Sequence, residues 1–308
     1  MNTQWNAVPD SFDAPRAAPA ALSPTRPMYW SLRRELWENP SIYIGPLAVA
    51  GVFLFAFVFR IFHLPENMRA AAALDPMKQH EAIAQPYDAA AALIMGAALI
   101  VALFYCLDAL YGERRDRSIL FWKSLPVSDL TTVLVKASVP VLILPLLAFA
   151  ITVATQSIML LLSTAVLLVS GQSVAMFWAR LSFFQMSFLL LYHLVTVHGL
   201  WWAPFFGWML LVSAWARRVP FLWAFLPPLA IGYLEKIAFN TTHFVSMLQQ
   251  RFAGGMEALS VPGTMPMNPM TQLTPGRFLI SPGLWIGLAI TAAFLAAAVR
   301  LRRYQGPI

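Results

Sequence analysis

The sequence predicts an all-α integral membrane protein with six transmembrane helices, and three observations predict it. Hydrophobic residues fill 59% of the 308 positions and charged ones only 11%, with a mean hydropathy of +0.65, a balance that suits a bilayer better than water. Several windows of more than about 18 residues carry almost no charge, enough at about 1.5 Å per residue to cross a hydrocarbon core of about 30 Å. Alternating segments of about ten residues, the mark of a membrane barrel, are absent.

The elements follow in chain order. Residues 1–27, rich in Ala and Pro, lack the continuous apolar core of a signal peptide and read as a disordered cytosolic tail. Over 28–39, Met28, Leu32 and Leu36 recur at helical spacing beside Tyr29, Trp30 and Trp37, with Arg33, Arg34 and Glu35 elsewhere on the wheel. That pattern describes a short amphipathic helix lying in the interface; the alternative is an ordinary cytosolic helix. Spans are expected at 41–63, 87–111, 129–160, 184–215, 220–237 and 282–299, with both termini in the cytosol.

The apolar run 131–171 could hold one long helix or a two-helix hairpin, and charge decides between them. With one span, Arg33, Arg34, the charged stretch 112–128, Arg217, Arg218, Arg300, Arg302 and Arg303 all share the cytosolic side, as the positive-inside bias requires. A bend is expected at Pro140 and Pro145. The larger outer loops are then 64–86 and 238–281. The second holds Pro262, Pro266, Pro269 and Pro275 beside apolar pieces such as HFVSMLQQ, which fit re-entrant or interfacial helices. HGLWWAPFFGW, residues 198–208, interrupts the fourth span and marks either a substrate path or a kink packed against neighbours. No internal repeat is visible, which argues against a secondary transporter.

The net charge of +7 is spread over loops and helix ends, the distribution of a topology signal and not of a nucleic-acid surface. The single cysteine, Cys106, lies in an apolar run, so an intrachain disulfide and a thiolate metal cluster are both excluded and packing is its default role.

Between the second and third spans stands LYGERRDRSILFWKSLPVSDLTT. Even one arginine at a bilayer centre costs about 2.5 to 3.5 kcal/mol on the insertion scale, so Arg114, Arg115 and Arg117 belong in water or against a partner. SILFWKSL makes about two helical turns, too few to hide Ile119, Phe121 and Trp122 together. Pro126 stops it, and Ser128 caps the next helix with Asp129 in its first turn. Exposed apolar surface rimmed by charge marks a contact site; alternatively the aromatics dip into the headgroup belt.

This stretch resembles the segment between the second and third spans of ABC-2 type transporter permeases of bacteria, where an acidic-basic pair precedes a coupling helix. An amphipathic elbow helix at 28–39, six spans and a long outer segment before the sixth fit the same architecture. The resemblance implies that Glu113, Arg114, Arg115, Asp116, Arg117, Leu120, Phe121, Trp122, Lys123 and Pro126 form the contact with a separate ATPase subunit. It further implies a dimer, a bacterial cytoplasmic-membrane location, and ATP with Mg bound in the partner subunit, this chain binding no cofactor of its own. The sequence agrees with that division of labour, since no G-x-x-x-x-G-K-[ST] phosphate loop is present.

Asp108 and Lys136 are the ionisable residues most clearly inside the membrane, both roughly 8 to 10 Å from the cytosolic helix ends. Their matched depth suggests an interhelical ion pair; the alternative has Lys136 snorkelling and Asp108 bonded to a hydroxyl or water. His193 and His198, five apart, suit no single α-helical face and read as structural. Met265, Met267 and Met270, with Met247 and Met256 upstream, are either a soft-metal cluster for Cu(I) or adaptable packing.

The expected function is a permease subunit moving an amphipathic or apolar cargo, with no catalytic residue and no metal site. The competing expectation is a non-transporting scaffold or sensor component that recruits a soluble partner through the same helix.

Overall fold

The structure is a computed structural model that describes residues 25–125, 127–257 and 275–308. The described residues are almost wholly helical, without a strand, and six stretches are long and apolar enough to cross a membrane. These are Ser41–Ala70, Lys78–Arg115, Asp129–Val169, Phe177–Trp201, Pro220–Phe239 and Pro282–Tyr304. Asp129–Val169 is one continuous apolar stretch and not a two-helix hairpin.

The chain opens with α1 (Thr25–Glu38), followed by α2 (Ser41–Arg60), a 3-10 turn at Ile61–His63 and α3 (Leu64–Ala72). The second long helix, α4 (Pro76–Ala109), starts well before the expected residue 87, so the presumed outer loop 64–86 is mostly helical. Pro76 occupies the first turn, where its missing N–H costs nothing. Two short helices, α5 (Tyr111–Arg115) and α6 (Ile119–Ser124), then lead to α7 (Asp129–Ser138). Ser128 caps α7 as expected, its hydroxyl accepting the Thr131 N–H at 3.0 Å.

Between α7 and α8 (Leu144–Val169) lies a π-helical turn at Val139–Ile143, where two prolines withhold N–H groups from the ladder. α8 runs to Val169, past the expected end at 160. After α9 (Val174–Arg180) comes the interrupted stretch: α10 (Phe183–His193), a π-helical segment Leu194–Trp201, and α11 (Ala203–Trp215). The expected span 184–215 is therefore two helices, separated where Pro204 suits only the first turn of a new one. The two π-helical segments touch, and a Cβ at Gly199 would lie 2.9 Å from the Val141 carbonyl oxygen. The interruption is thus a packed kink between neighbouring helices.

α12 (Pro220–Phe239), α13 (His243–Glu257), α14 (Pro275–Ile280) and α15 (Pro282–Tyr304) complete the chain. α13 covers the HFVSMLQQ segment, so part of the expected outer loop is helical. The Met265, Met267 and Met270 group, Pro262, Pro266, Pro269 and the tail up to residue 24 lie outside the described residues. The main core joins α2, α4, α8 and α11 around Ile94, Cys106, Leu144 and Leu210, and Cys106 is fully buried in it. Small residues let helices close up: Gly207 of α11 faces Thr291 and Phe294 of α15, with room for a Cβ only at 3.3 Å.

Candidate contact surface and its buried charge cluster

Residues 110–124 are tied to the rest of the chain through polar bonds to α1, α7, α11, α15 and the C-terminal segment. At their start, the Ser213 hydroxyl of α11 accepts the Leu110 and Tyr111 N–H groups at 3.0 and 2.9 Å. Arg114 donates to the Ala214 and Ala216 carbonyls at 2.5 and 3.2 Å, satisfying acceptors that the end of α11 leaves open. The Ile308 N–H returns to the Arg114 carbonyl at 3.2 Å. Lys123 donates to the Gln305 carbonyl at 3.0 Å, so α6 is clipped to the C-terminal segment.

Glu113 is the centre of a buried charge cluster. It accepts from Lys136 of α7 at 3.1 Å, from Arg34 of α1 at 3.1 Å, and from Arg302 of α15 at short range. Lys136 also pairs with Glu35 at 2.8 Å, and Arg302 with Asp129 at 3.1 Å. The Tyr105 hydroxyl donates to the second oxygen of Glu35 at 2.9 Å. Three carboxylates, Glu35, Glu113 and Asp129, thus meet three cations, Arg34, Lys136 and Arg302, and every charge has a partner. Only such pairing makes burial to 2–7% exposure tolerable for Glu35, Glu113, Lys136 and Arg302. Arg34 further stacks 3.3 Å from the centre of the Trp122 ring, tying α6 to α1.

The sequence reading needs three corrections here. Asp108 and Lys136 do not pair: Asp108 is on the bundle exterior, 3.8 Å from Arg115 with more than half of its side chain exposed, whereas Lys136 turns inward. Equal depth was the only support for that pair, and depth says nothing about rotation around the helix axis. Glu113 and Arg114 are buried against this chain's own helices, so neither side chain is on the exposed face. His193 and His198 do share a face, their rings 5.3 Å apart, because the π-helical segment brings residues five apart into line. Among the described residues no three His, Cys, Asp or Glu gather as a metal site.

What remains exposed forms a compact surface. Leu120 and Phe121 are nearly 60% exposed and Leu125 more than a third, flanked by exposed Arg115, Asp116, Arg117 and Lys123. Ile119, on the opposite side of α6, is buried, and Trp122 is partly buried under Arg34. Pro126 lies outside the described residues, though Leu125 before it is extended, as a following proline demands.

Four members of the cluster were not singled out from the sequence: Arg34, Glu35, Asp129 and Arg302. Setting Glu35 elsewhere on the wheel was wrong: it sits seven residues after Met28 and so on the same helical stripe as Met28, Leu32 and Leu36. In the structure that stripe faces inward at Leu32, Glu35 and Leu36, while Tyr29, Trp30 and Trp37 face outward with Arg33 over both tryptophan rings. Away from the cluster, Arg251 of α13 stacks 4.1 Å from the Trp201 ring centre and donates to the Trp201 and Gly283 carbonyls at 2.9 and 2.6 Å. Burial pulls its pKa below the ordinary guanidinium value, and a Cβ on Gly287 would collide with it.

In comparisons with known proteins, no family model, no curated protein and no solved structure matches the chain.

Proposed function

We propose that the chain is the membrane-spanning subunit of an ATP-driven exporter of the ABC-2 type, working as a dimer in the bacterial cytoplasmic membrane with both termini cytosolic. The observation that carries this reading is the two-sided nature of α6. Its outer side offers Leu120, Phe121 and Leu125 within a charged rim, suited to a groove on a soluble partner. Its inner side is bonded to α1, α15 and the C-terminal segment, while Glu113 just before it is locked to three helices. A push on α6 is therefore delivered to α1, α7 and α15 together, because the bonds at its back hold charges that are costly to separate.

The partner would be an ATPase subunit holding ATP and Mg, since this chain has no phosphate loop. Glu113 and Arg114 act as the anchor of the contact helix, and Arg115, Asp116, Arg117, Leu120 and Phe121 as its docking face. The cargo would be an amphipathic or apolar molecule taken between two copies of the chain.

The test joins a crosslinker to Cys introduced at Leu120 and co-expresses the chain with whichever ATP-binding protein a neighbouring reading frame encodes. A crosslink to that protein, with vanadate-sensitive ATP hydrolysis in the purified pair, supports the reading. Labelling of the same cysteine by an impermeant reagent from the periplasmic side overturns it. Crosslinking without any hydrolysis or transport would instead identify a scaffold that recruits a partner through α6.

A further inference from the structure

Roughly 30 Å along α4 from the charge cluster, the corner between α2 and α3 leaves a cavity of about 80 Å³ against α4, α8 and α9. Its floor is apolar, built on Phe57, Ile61, Met68 and Phe177, all buried. Its rim is polar, with Arg60, Asn67 and Gln85 exposed at the mouth.

Four features limit what fits there. The volume holds about five to eight water-sized groups, well under the roughly 300 Å³ of the smallest drug-sized sites, so a short alkyl segment matches and a bulky cargo does not. The hydroxyls that line the floor are paired: those of Tyr87 and Ser163 bond each other at 3.2 Å, and the Tyr87 carbonyl accepts from Gln156 at 3.1 Å. Arg60 is the one charged residue lining the cavity, and no hydrogen bond or ion pair engages its guanidinium among the described residues. The nearby Glu66 faces His63 instead, at 3.9 Å. Finally, Arg60 ends α2, whose other residues are uncharged, so it stands where the apolar span gives way to the polar boundary of a bilayer.

We propose that this cavity binds one alkyl segment of an anionic membrane amphiphile, whose carboxylate or phosphate pairs with Arg60 while the chain rests on Phe57, Ile61, Met68 and Phe177. Asn67 and Gln85 supply neutral donors to the same head group. A guanidinium suits a carboxylate and a phosphate equally, because its planar fork matches both. The head group therefore comes either from a free fatty acid or from an anionic phospholipid. This site is independent of any ATPase partner.

Photolabelling of the full chain in phosphatidylcholine nanodiscs tests it, with three diazirine probes: palmitate, phosphatidylglycerol and the uncharged monoacylglycerol. Labelled peptides are mapped by mass spectrometry. Palmitate, phosphatidylglycerol or both should label peptides around 57–87 and 163–177 more than the uncharged probe does, and whichever anionic probe labels more strongly identifies the source. Arg60→Gln should lower anionic labelling about fivefold, equivalent to about 1 kcal/mol, while Arg60→Lys keeps most of it. Ala82→Trp, at the exposed rim, should block the mouth to every probe. Equal labelling by the uncharged probe, or unchanged labelling in both Arg60→Gln and Ala82→Trp, would overturn the proposal.

Discussion

Lys136→Met is the most direct probe of the buried charge cluster. The Lys136 ammonium is 3% exposed and lies 2.8 Å from Glu35 and 3.1 Å from Glu113. Its removal leaves Glu35 with the Tyr105 hydroxyl at 2.9 Å and an edge of Arg34 at 3.3 Å, while Glu113 keeps Arg34 and Arg302. Breaking one side of a buried pair costs about 3–5 kcal/mol when the other charge is stranded. Glu35 is only partly stranded, so the expected loss is about 3 kcal/mol, near the lower end of that range. At about 2–4 °C per kcal/mol for a chain of this size, the melting temperature in nanodiscs should fall by roughly 10 °C. Adding Glu35→Gln removes the stranded charge, and the double variant should be more stable than Lys136→Met alone. The assay is thermal unfolding followed by tryptophan fluorescence. A single variant within about 2 °C of the parent, or a double variant showing the plain sum of two losses, would refute the argument that the cluster is held by mutual neutralisation.

Three further outcomes are expected. Asp108→Ala, at an exposed position beside Arg115, should change stability by less than about 0.5 kcal/mol, measured in the same unfolding assay; a loss comparable to that of Lys136→Met would mean Asp108 is part of the cluster. Gly287→Ala should displace Arg251 from the Trp201 and Gly283 carbonyls at a cost of about 2 kcal/mol, and should cost far less in an Arg251→Leu background. Native Cys106, fully buried, should stay unmodified by a maleimide in folded protein, whereas Cys placed at Leu120 reacts at once. Rapid modification of Cys106 would contradict its place in the core.

The short helix α6 illustrates how much was legible in residues alone. Its charge, its brevity, the stop at Pro126 and the Ser128 cap are local properties, and they were sufficient to place an aromatic-bearing helix between the second and third long helices. The π-helical turn at Val139–Ile143 was half legible: prolines announce an interruption, but the choice between a sharp bend and a wider turn depends on what packs alongside, here Gly199. The shared face of His193 and His198 was missed for the same reason, since their alignment depends on a helix geometry that their neighbours impose.

By itself the sequence determined the solvent of this protein, the number of long apolar helices and the interruptions at Pro126 and Pro140, because the cost of burying charge and the loss of N–H groups at proline act within a few residues. The tertiary structure alone decided which charges meet. Glu113 with Lys136, Arg34 and Arg302 joins residues that lie between 23 and 189 positions apart, and such a meeting depends on how each helix is rotated about its axis. That rotation is set by side-chain packing summed over all the neighbours, a quantity that hydropathy along the chain does not contain.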